Sequence, residues 1–164
     1  MIKKILLILI IAITIIPNNS FAVKKTAFKN VPIVVEARQL IYDKNKHTAI
    51  YIGNVIVQHD RITITGDKLI IYFDKTGKII EKVEMIGNVV LKSDQGNGKC
   101  DRLEYYPAQE KIVLIGNAEL KKGKNVIVGD RIVAFKNGNV IVEGIKQKVK
   151  TIIFPGEAIN ATVK

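Results

Sequence analysis

Three aspartates recur at a constant interval, and carboxylates so placed are the first residues to test for chemistry. Asp67, Asp101 and Asp130 each follow a Gly-Asn pair, at Asn54, Asn88 and Asn117, by the same distance. Two carboxylates on one face could share general acid and base roles. At repeat distance, however, they are spread along an array, where capping strand ends is the simpler role. His47 and His59 are the only histidines and Cys100 the only cysteine. Nothing in their context brings a histidine to the thiol, and the three give no metal-ligand spacing. A lone cysteine excludes an internal disulfide and suits a small, semi-buried strand position. The stretch QGNGKCD, Gln95 to Asp101, lacks the spacing and terminal hydroxyl of a phosphate loop. No catalytic residue, metal or cofactor is expected, and the chain does not read as an enzyme.

The elements around these residues repeat. YIGNVIV (Tyr51 to Val57) returns as MIGNVVL (Met85 to Leu91) and LIGNAEL (Leu114 to Leu120). The aspartates sit in GDKLIIY, CDRLEYY and GDRIVAF, and EARQLIY (Glu36 to Tyr42) is a degenerate first copy without the Asp. A period of about 30 residues marks stacked units that cannot bury their faces alone. Val, Ile and Thr dominate each unit, and turn residues separate the runs. Asn137-Gly138 has the form of a type I′ hairpin pair. These features predict an all-β fold of repeated antiparallel hairpins. Gly-Asn is expected to bend a long strand, with Asn capping the kink; the alternative is a plain turn between separate strands.

Parity assigns the interior. After Gly-Asn the second place accepts Glu119, so the first and third should face inward. That selects Val55 and Val57, Val89 and Leu91, Ala118 and Leu120. Glu104 does the same for the Asp motif, selecting Leu69 and Ile71, Leu103 and Tyr105, Ile132 and Ala134. Ile62 and Ile64 lie on the opposite parity from Leu69 and Ile71, so both pairs are internal only if a bulge intervenes near Gly66-Asp67. The interior is then almost wholly aliphatic. It forms either a dry sandwich or a trough for an apolar guest, and parity does not choose between them.

The ends and the charge set the context. Lys3 and Lys4 precede an apolar run, Ile5 to Ile16, and Ser20-Phe21-Ala22 resembles a cleavage site, which predicts a signal peptide over residues 1–22. An uncleaved anchor is the rival, against which the run falls short of the roughly 20 residues that span a bilayer. Residues 23–157 are read as one β domain and 158–164 as a short tail. A formal net charge of +11 invites an anionic partner, but without a groove-entering helix or an aromatic platform nucleic acid is not expected.

Four stretches carry a resemblance: PIVVEARQLIYD, YIGNVIVQHDRITITGDKLIIY, IVLIGNAELKKGKNVIVGDRIVAF and VKTIIFPGE, in order from Pro32 to Glu157. The chain resembles the OstA-like (LptA-type) family of periplasmic lipopolysaccharide-transport proteins. The resemblance implies an open β-jellyroll of V-shaped strands that binds the lipid A moiety in an apolar trough. It implies head-to-tail assembly bridging an inner-membrane LptC-like protein to an outer-membrane LptD-like protein. It also places Ile33 and Val35 at the lipid. With parity, the expected lipid-facing set is Ile33, Val35, Val55, Val57, Ile62, Ile64, Leu69, Ile71, Val89, Leu91, Leu103 and Tyr105. The expected partner edges are Lys29 to Leu40 and Ile145 to Phe154, represented by Pro32, Val34, Glu36, Val149, Ile152 and Phe154. A membrane-anchored LptC-like component and a structural β-repeat protein of the envelope are the alternatives.

Overall fold

A computed structural model describes residues 31–155. The expected signal peptide and the tail 158–164 lie outside the described residues. Ten strands follow one another: β1 (Ile33–Glu36), β2 (Gln39–Asp43), β3 (Thr48–His59), β4 (Ile62–Phe73), β5 (Ile80–Ser93), β6 (Gly96–Tyr106), β7 (Lys111–Lys122), β8 (Asn125–Phe135), β9 (Val140–Glu143) and β10 (Lys150–Ile152). All pairings are antiparallel, and the strands form one sheet ordered β1-β3-β4-β5-β6-β7-β8-β10. The strand β2 also pairs with β3, and β9 with β8. The all-β hairpin array expected from the repeats is therefore present.

Each long strand passes through a break in register. Along β3, β5 and β7 the ladder slips between Ile52 and Val55, Ile86 and Val89, and Ile115 and Ala118. These are the three Gly-Asn sites. Both residues of each pair are left-handed: Gly53, Gly87 and Gly116 have φ of 88°, 82° and 76°, and Asn54, Asn88 and Asn117 have 51°, 48° and 47°. Asparagine tolerates this region better than other side-chain-bearing residues, which accounts for its place after glycine. The strands continue on either side, so the pair is a bend and not a turn between strands. The bulge expected near Gly66-Asp67 is also present, since the β4–β5 register slips between Thr65 and Lys68.

The bends divide the sheet into two arms. Arm A holds β1, β10 and residues 55–66, 89–100 and 118–129. Arm B holds β2, β9 and residues 48–52, 68–86, 102–115 and 131–135. The arms fold onto one another. Leu120, the partner of Gly98, is six residue steps along β7 from Leu114, or roughly 20 Å in a straight strand. Yet a Cβ built on Gly98 would fall 3.1 Å from the Leu114 side chain. Between the arms the core of Leu69, Met85, Leu103, Leu114 and Ile132 packs on Val55, Val89, Cys100 and Ala118.

The aspartates brace the bends instead of capping strand ends, which corrects the expected role. They stand mid-strand in β4, β6 and β8, and the first two reach the following Gly-Asn, not the preceding one. Asn88 Nδ2 donates to Asp67 Oδ2, and Asn117 Nδ2 to Asp101 Oδ2, both at 2.9 Å. The first copy has Arg38 where the later ones have Asp: Leu40 and Leu69 both oppose Tyr51, two residues beyond Arg38 and Asp67.

The hairpin turns carry their own fasteners. Asp74 accepts hydrogen bonds from the Thr76 hydroxyl and the N–H groups of Lys78 and Ile79. Together they pull its carboxyl down to about 2, with Thr76 the largest contributor. One turn differs from expectation. In Asn137-Gly138 only Gly138 has positive φ, whereas a type I′ pair requires both. Here the Asn137 side chain instead accepts the N–H of Asn139, an Asx turn.

The outer surface of arm B carries a part-buried charge network, with the carboxylates more covered than the cations. Glu84 and Glu104 face each other across β5–β6. Lys82 lies 3.6 Å from Glu84 and 3.1 Å from Glu104, and Arg102 lies 3.7 and 3.6 Å from the same pair. Tyr72 and Tyr106 donate their hydroxyls to Glu84 and Glu104. Burial alone would raise the Glu104 carboxyl. Hydrogen bonds from Tyr106 and Lys82, with the charges of Lys82 and Arg102, outweigh it and hold the group below its ordinary range.

Two outcomes test these restraints. Asp101→Ala should lower unfolding stability by about 1 kcal/mol through the lost brace on Asn117, read as a reduced urea midpoint with unchanged slope; an unchanged midpoint would show that the brace does not restrain the bend. A folded carboxyl below its unfolded value stabilises above the unfolded pKa, and that stability fades as pH falls through the folded one. The thermal stability of the wild type should therefore fall on acidifying below about pH 4.3. Glu104→Gln should flatten that limb, and an equally steep limb in the variant would remove Glu104 from the account.

Candidate binding interior and sheet edges

Successive inward positions align across the strands into rungs, and the rungs differ in depth. At the bend, Val55, Val89 and Ala118 sit on the arm A side and Leu69, Met85, Leu103, Leu114 and Ile132 on the arm B side, all essentially without solvent exposure. Of the expected lipid-facing residues, Val55, Leu69, Val89 and Leu103 are thus protein core. Small residues permit this closure: a Cβ on Gly66 would meet Met85, and one on Gly129 would meet Val142. Cys100 holds the equivalent small position in the middle copy. Burial raises its thiol to about 11, so it is an inert packing group at neutral pH.

Away from the bend the interior is half-buried. In arm A, Val35 pairs with Val57, Val57 with Ile64, Ile64 with Leu91, Leu91 with Gly98, Gly98 with Leu120 and Leu120 with Ile127. Cross-strand neighbours of this kind run from β1 to β8 with no polar side chain among them. In arm B, Ile71, Val83 and Ile112 form the corresponding rung. These residues pack against the core while keeping partial exposure. Ile33 and Ile62 lie one step further out, at the tip of arm A, where Ile33 is 58 % exposed. Tyr105 shares the face of Leu103 and joins the same arm B rung, between Val83 and Ile112, where it is 37 % exposed.

Parity counted only residues after each Gly-Asn and in the Asp motifs, and so omitted Val83, Met85, Ile112 and Leu114. Their signal was available in VEMIG and IVLIG, where every second residue before the glycine is apolar. Tyr51, Ile127 and Val142 also pack on the core; the last two belong to short runs that carry too few alternations to read alone.

Both ends of the sheet are unpaired and apolar. One edge is β1 followed by β2, interrupted at 37–38. The other is β9 followed by the link 144–149 and β10. Val34 and Glu36 lie exposed in β1, and Pro32 just precedes it. Ile152 closes β10, while Val149 and Phe154 flank it outside the ladder. The Phe154 N–H is held by Asn125 Oδ1 at 2.8 Å. The expected edges reached Leu40 but omitted the rest of β2 and all of β9, the arm B halves, where Tyr42 and Ile141 are more than half exposed. QLIYD and NVIVE are short enough to pass for loop flanks. Lys29, at the start of the expected first edge, lies outside the described residues.

The arrangement offers a packing surface and hydrogen-bonding edges, with no reacting group. Cys100 is mid-strand, whereas His59 ends β3 at an arm tip and His47 lies in the β2–β3 turn. Among the described residues, no three His, Cys, Asp or Glu side chains gather as metal ligands.

Known proteins share this architecture. The crystal structure of LptH from Pseudomonas aeruginosa, described as the LptA-homologous periplasmic component of a lipopolysaccharide transport device, superposes with a TM-score of 0.66 at 22 % identity, covering 76 % of this chain and 96 % of that one. In sequence, LptA of Escherichia coli K12 is 28 % identical over 79 % of this chain and 74 % of its own. LptA of Haemophilus influenzae is 29 % identical over 96 % of each. The fold is thus the β-jellyroll of these proteins, and the family is one of transport, not catalysis. Residues 34–142 match the family described as LptA/(LptD N-terminal domain) LPS transport protein, and the chain belongs to that family.

Proposed function

We propose that this protein is a periplasmic bridge component that carries the lipid A moiety of lipopolysaccharide between the inner and outer membranes. One observation carries the reading: the half-buried apolar rung Val35–Val57–Ile64–Leu91–Leu120–Ile127 runs from one open edge of the sheet to the last long strand. Such a rung is a track along the stacking direction, where a closed cavity would be an end point. Each Å² of acyl surface laid on it is stabilised by roughly 25 cal/mol. The fully buried rungs at the bend stay packed and set the depth to which chains enter. No deep charged anchor interrupts the track, which suits a guest that must move on.

Strand direction favours assembly head to tail. The strand β10 runs antiparallel to β8, and β1 antiparallel to β3. A second copy related by translation therefore sets its β1 antiparallel to β10 and its β2 antiparallel to β9, and the alternation continues across the joint. Unpaired edges of this kind add a matched strand by β-augmentation. An inner-membrane LptC-like protein and an outer-membrane LptD-like protein would join the two ends by the same pairing. Location in the periplasm, after cleavage near Ala22, agrees with this route.

A photo-crosslinking amino acid placed singly at positions 35, 57, 56 and 55, then exposed to purified lipopolysaccharide, tests the interior. Adducts are expected at 35 and 57, on the half-buried rung. None is expected at 56, on the outer face, and few at 55, in the core. A folded protein giving no adduct at 35 or 57 would mean that the arms enclose a dry core and carry no lipid.

A further inference from the structure

Asp130 is the last of three equivalent aspartates, and the Gly-Asn that follows it, Gly138-Asn139, lies in the turn before β9 with only the glycine at positive φ, so it makes no strand bend. Asp67 and Asp101 brace the bends of β5 and β7. Beyond β8 the ladder is split: β9 pairs with Arg131 to Ala134 and β10 with Val126 to Val128, leaving Gly129 and Asp130 between them. The link 144–149 crosses that gap. Asp130 Oδ2 accepts the N–H groups of Ile145, Lys146 and Gln147 at 2.5, 2.5 and 3.0 Å. These donors, Gln147 foremost, hold the carboxyl below its ordinary range. At Gly144 the turn is tight enough that a Cβ would fall 3.0 Å from the Val149 nitrogen. Three N–H groups on one oxygen thus replace the amide that Asn88 or Asn117 supplies elsewhere.

We propose that Asp130 is a latch: it pins the link so that β9 and β10 present a single composite edge to a second copy of this chain. The inference rests on the head-to-tail reading and names the residue that prepares the joint. The opposite edge has the matching form, because β1 lies in arm A, β2 in arm B, and residues 37–38 interrupt them. The charges also match. Glu36 is exposed beside that interruption, while Lys146 and Lys148 in the link and Lys150 in β10 are exposed on the other edge. Arg38 is also exposed at that interruption, with its stem over its own Gly53, whose Cβ would meet the Arg38 Cδ at 3.0 Å. An unpinned link would let β10, only three residues long, drift out of line with β9. A partner could then engage one arm but not both.

Asp130→Ala is the test, read by amide hydrogen exchange and by light scattering over a concentration series. Exchange at Ile145 to Gln147 should speed at least tenfold, and assembly should need roughly tenfold more protein, the scale set by losing charge-assisted hydrogen bonds. Crosslinking to lipopolysaccharide at position 57 should persist in the monomer, which separates this inference from the lipid reading. Asp130→Asn keeps a carbonyl acceptor and should fall between the two, serving where the alanine variant does not fold. Faster exchange with wild-type assembly, in either variant, overturns the latch alone. A wild-type chain that crosslinks lipid yet stays monomeric at every concentration overturns the joint and the latch with it.

Discussion

Antiparallel strands as long as these would lie open as one wide sheet, with one apolar face in water. What prevents this is a pair of left-handed residues repeated at every second strand. Gly and Asn together rotate the chain out of the ladder and back in, and the sheet folds along that line. The conformation is costly for most residues, so it persists only where something holds it. The holder is the preceding strand: the Asp67 carboxylate receives the Asn88 amide and lies against Gly87, where a Cβ would fall 2.9 Å from the carboxyl carbon. Glycine at this place therefore answers two demands, positive φ and the approach of a carboxylate.

Depth in the interior follows from the bend. Near it the arms are close, and only small residues fit on one side: Gly66, Cys100 and Gly129 occupy equivalent positions, with larger partners such as Met85 and Val142 opposite. Farther out the arms diverge, and Val57, Leu91 and Leu120 keep partial exposure. One alternating pattern thus yields two environments. A dry layer supplies stability, and a half-wet layer can exchange one apolar neighbour for another at modest cost. Parity, which left a sandwich and a trough equally open, does not report this grading of burial with distance from the bend.

What could be read from sequence followed repetition. Three copies of Gly-Asn and of the Asp motif made the all-β array, the strand bend and the bulge at Gly66-Asp67 legible, because each copy tested the others. Where repetition stopped, legibility stopped. Asp was matched with the Gly-Asn before it along the chain, but its partner is the next one across the sheet, and separation along the chain does not report lateral neighbours. Asn137-Gly138 carried the composition of a type I′ turn, yet the Asn side chain favoured an Asx turn. The division of the inward residues into core and mouth was hidden because Val55 and Val57 look alike in sequence. Two positions along an outward-leading strand separate complete burial from partial exposure.

The ends of the array obey the same physics with different residues. A repeat that braces each bend from the preceding strand must leave its first bend without a brace and its last brace without a bend. The first is met by Arg38, whose stem lies over Gly53 and whose own N–H reaches the Ile52 and Gly53 carbonyls at 3.1 Å. The last is met by the link 144–149 on Asp130. Both substitutes use backbone where the interior copies use a side chain, and neither extends the sheet. Each edge is therefore short, split between the arms and fixed in place, which limits indiscriminate strand addition and leaves a surface that another molecule with the same two-armed section can match. Closure at the bend and openness at the edges are two consequences of one repeating restraint.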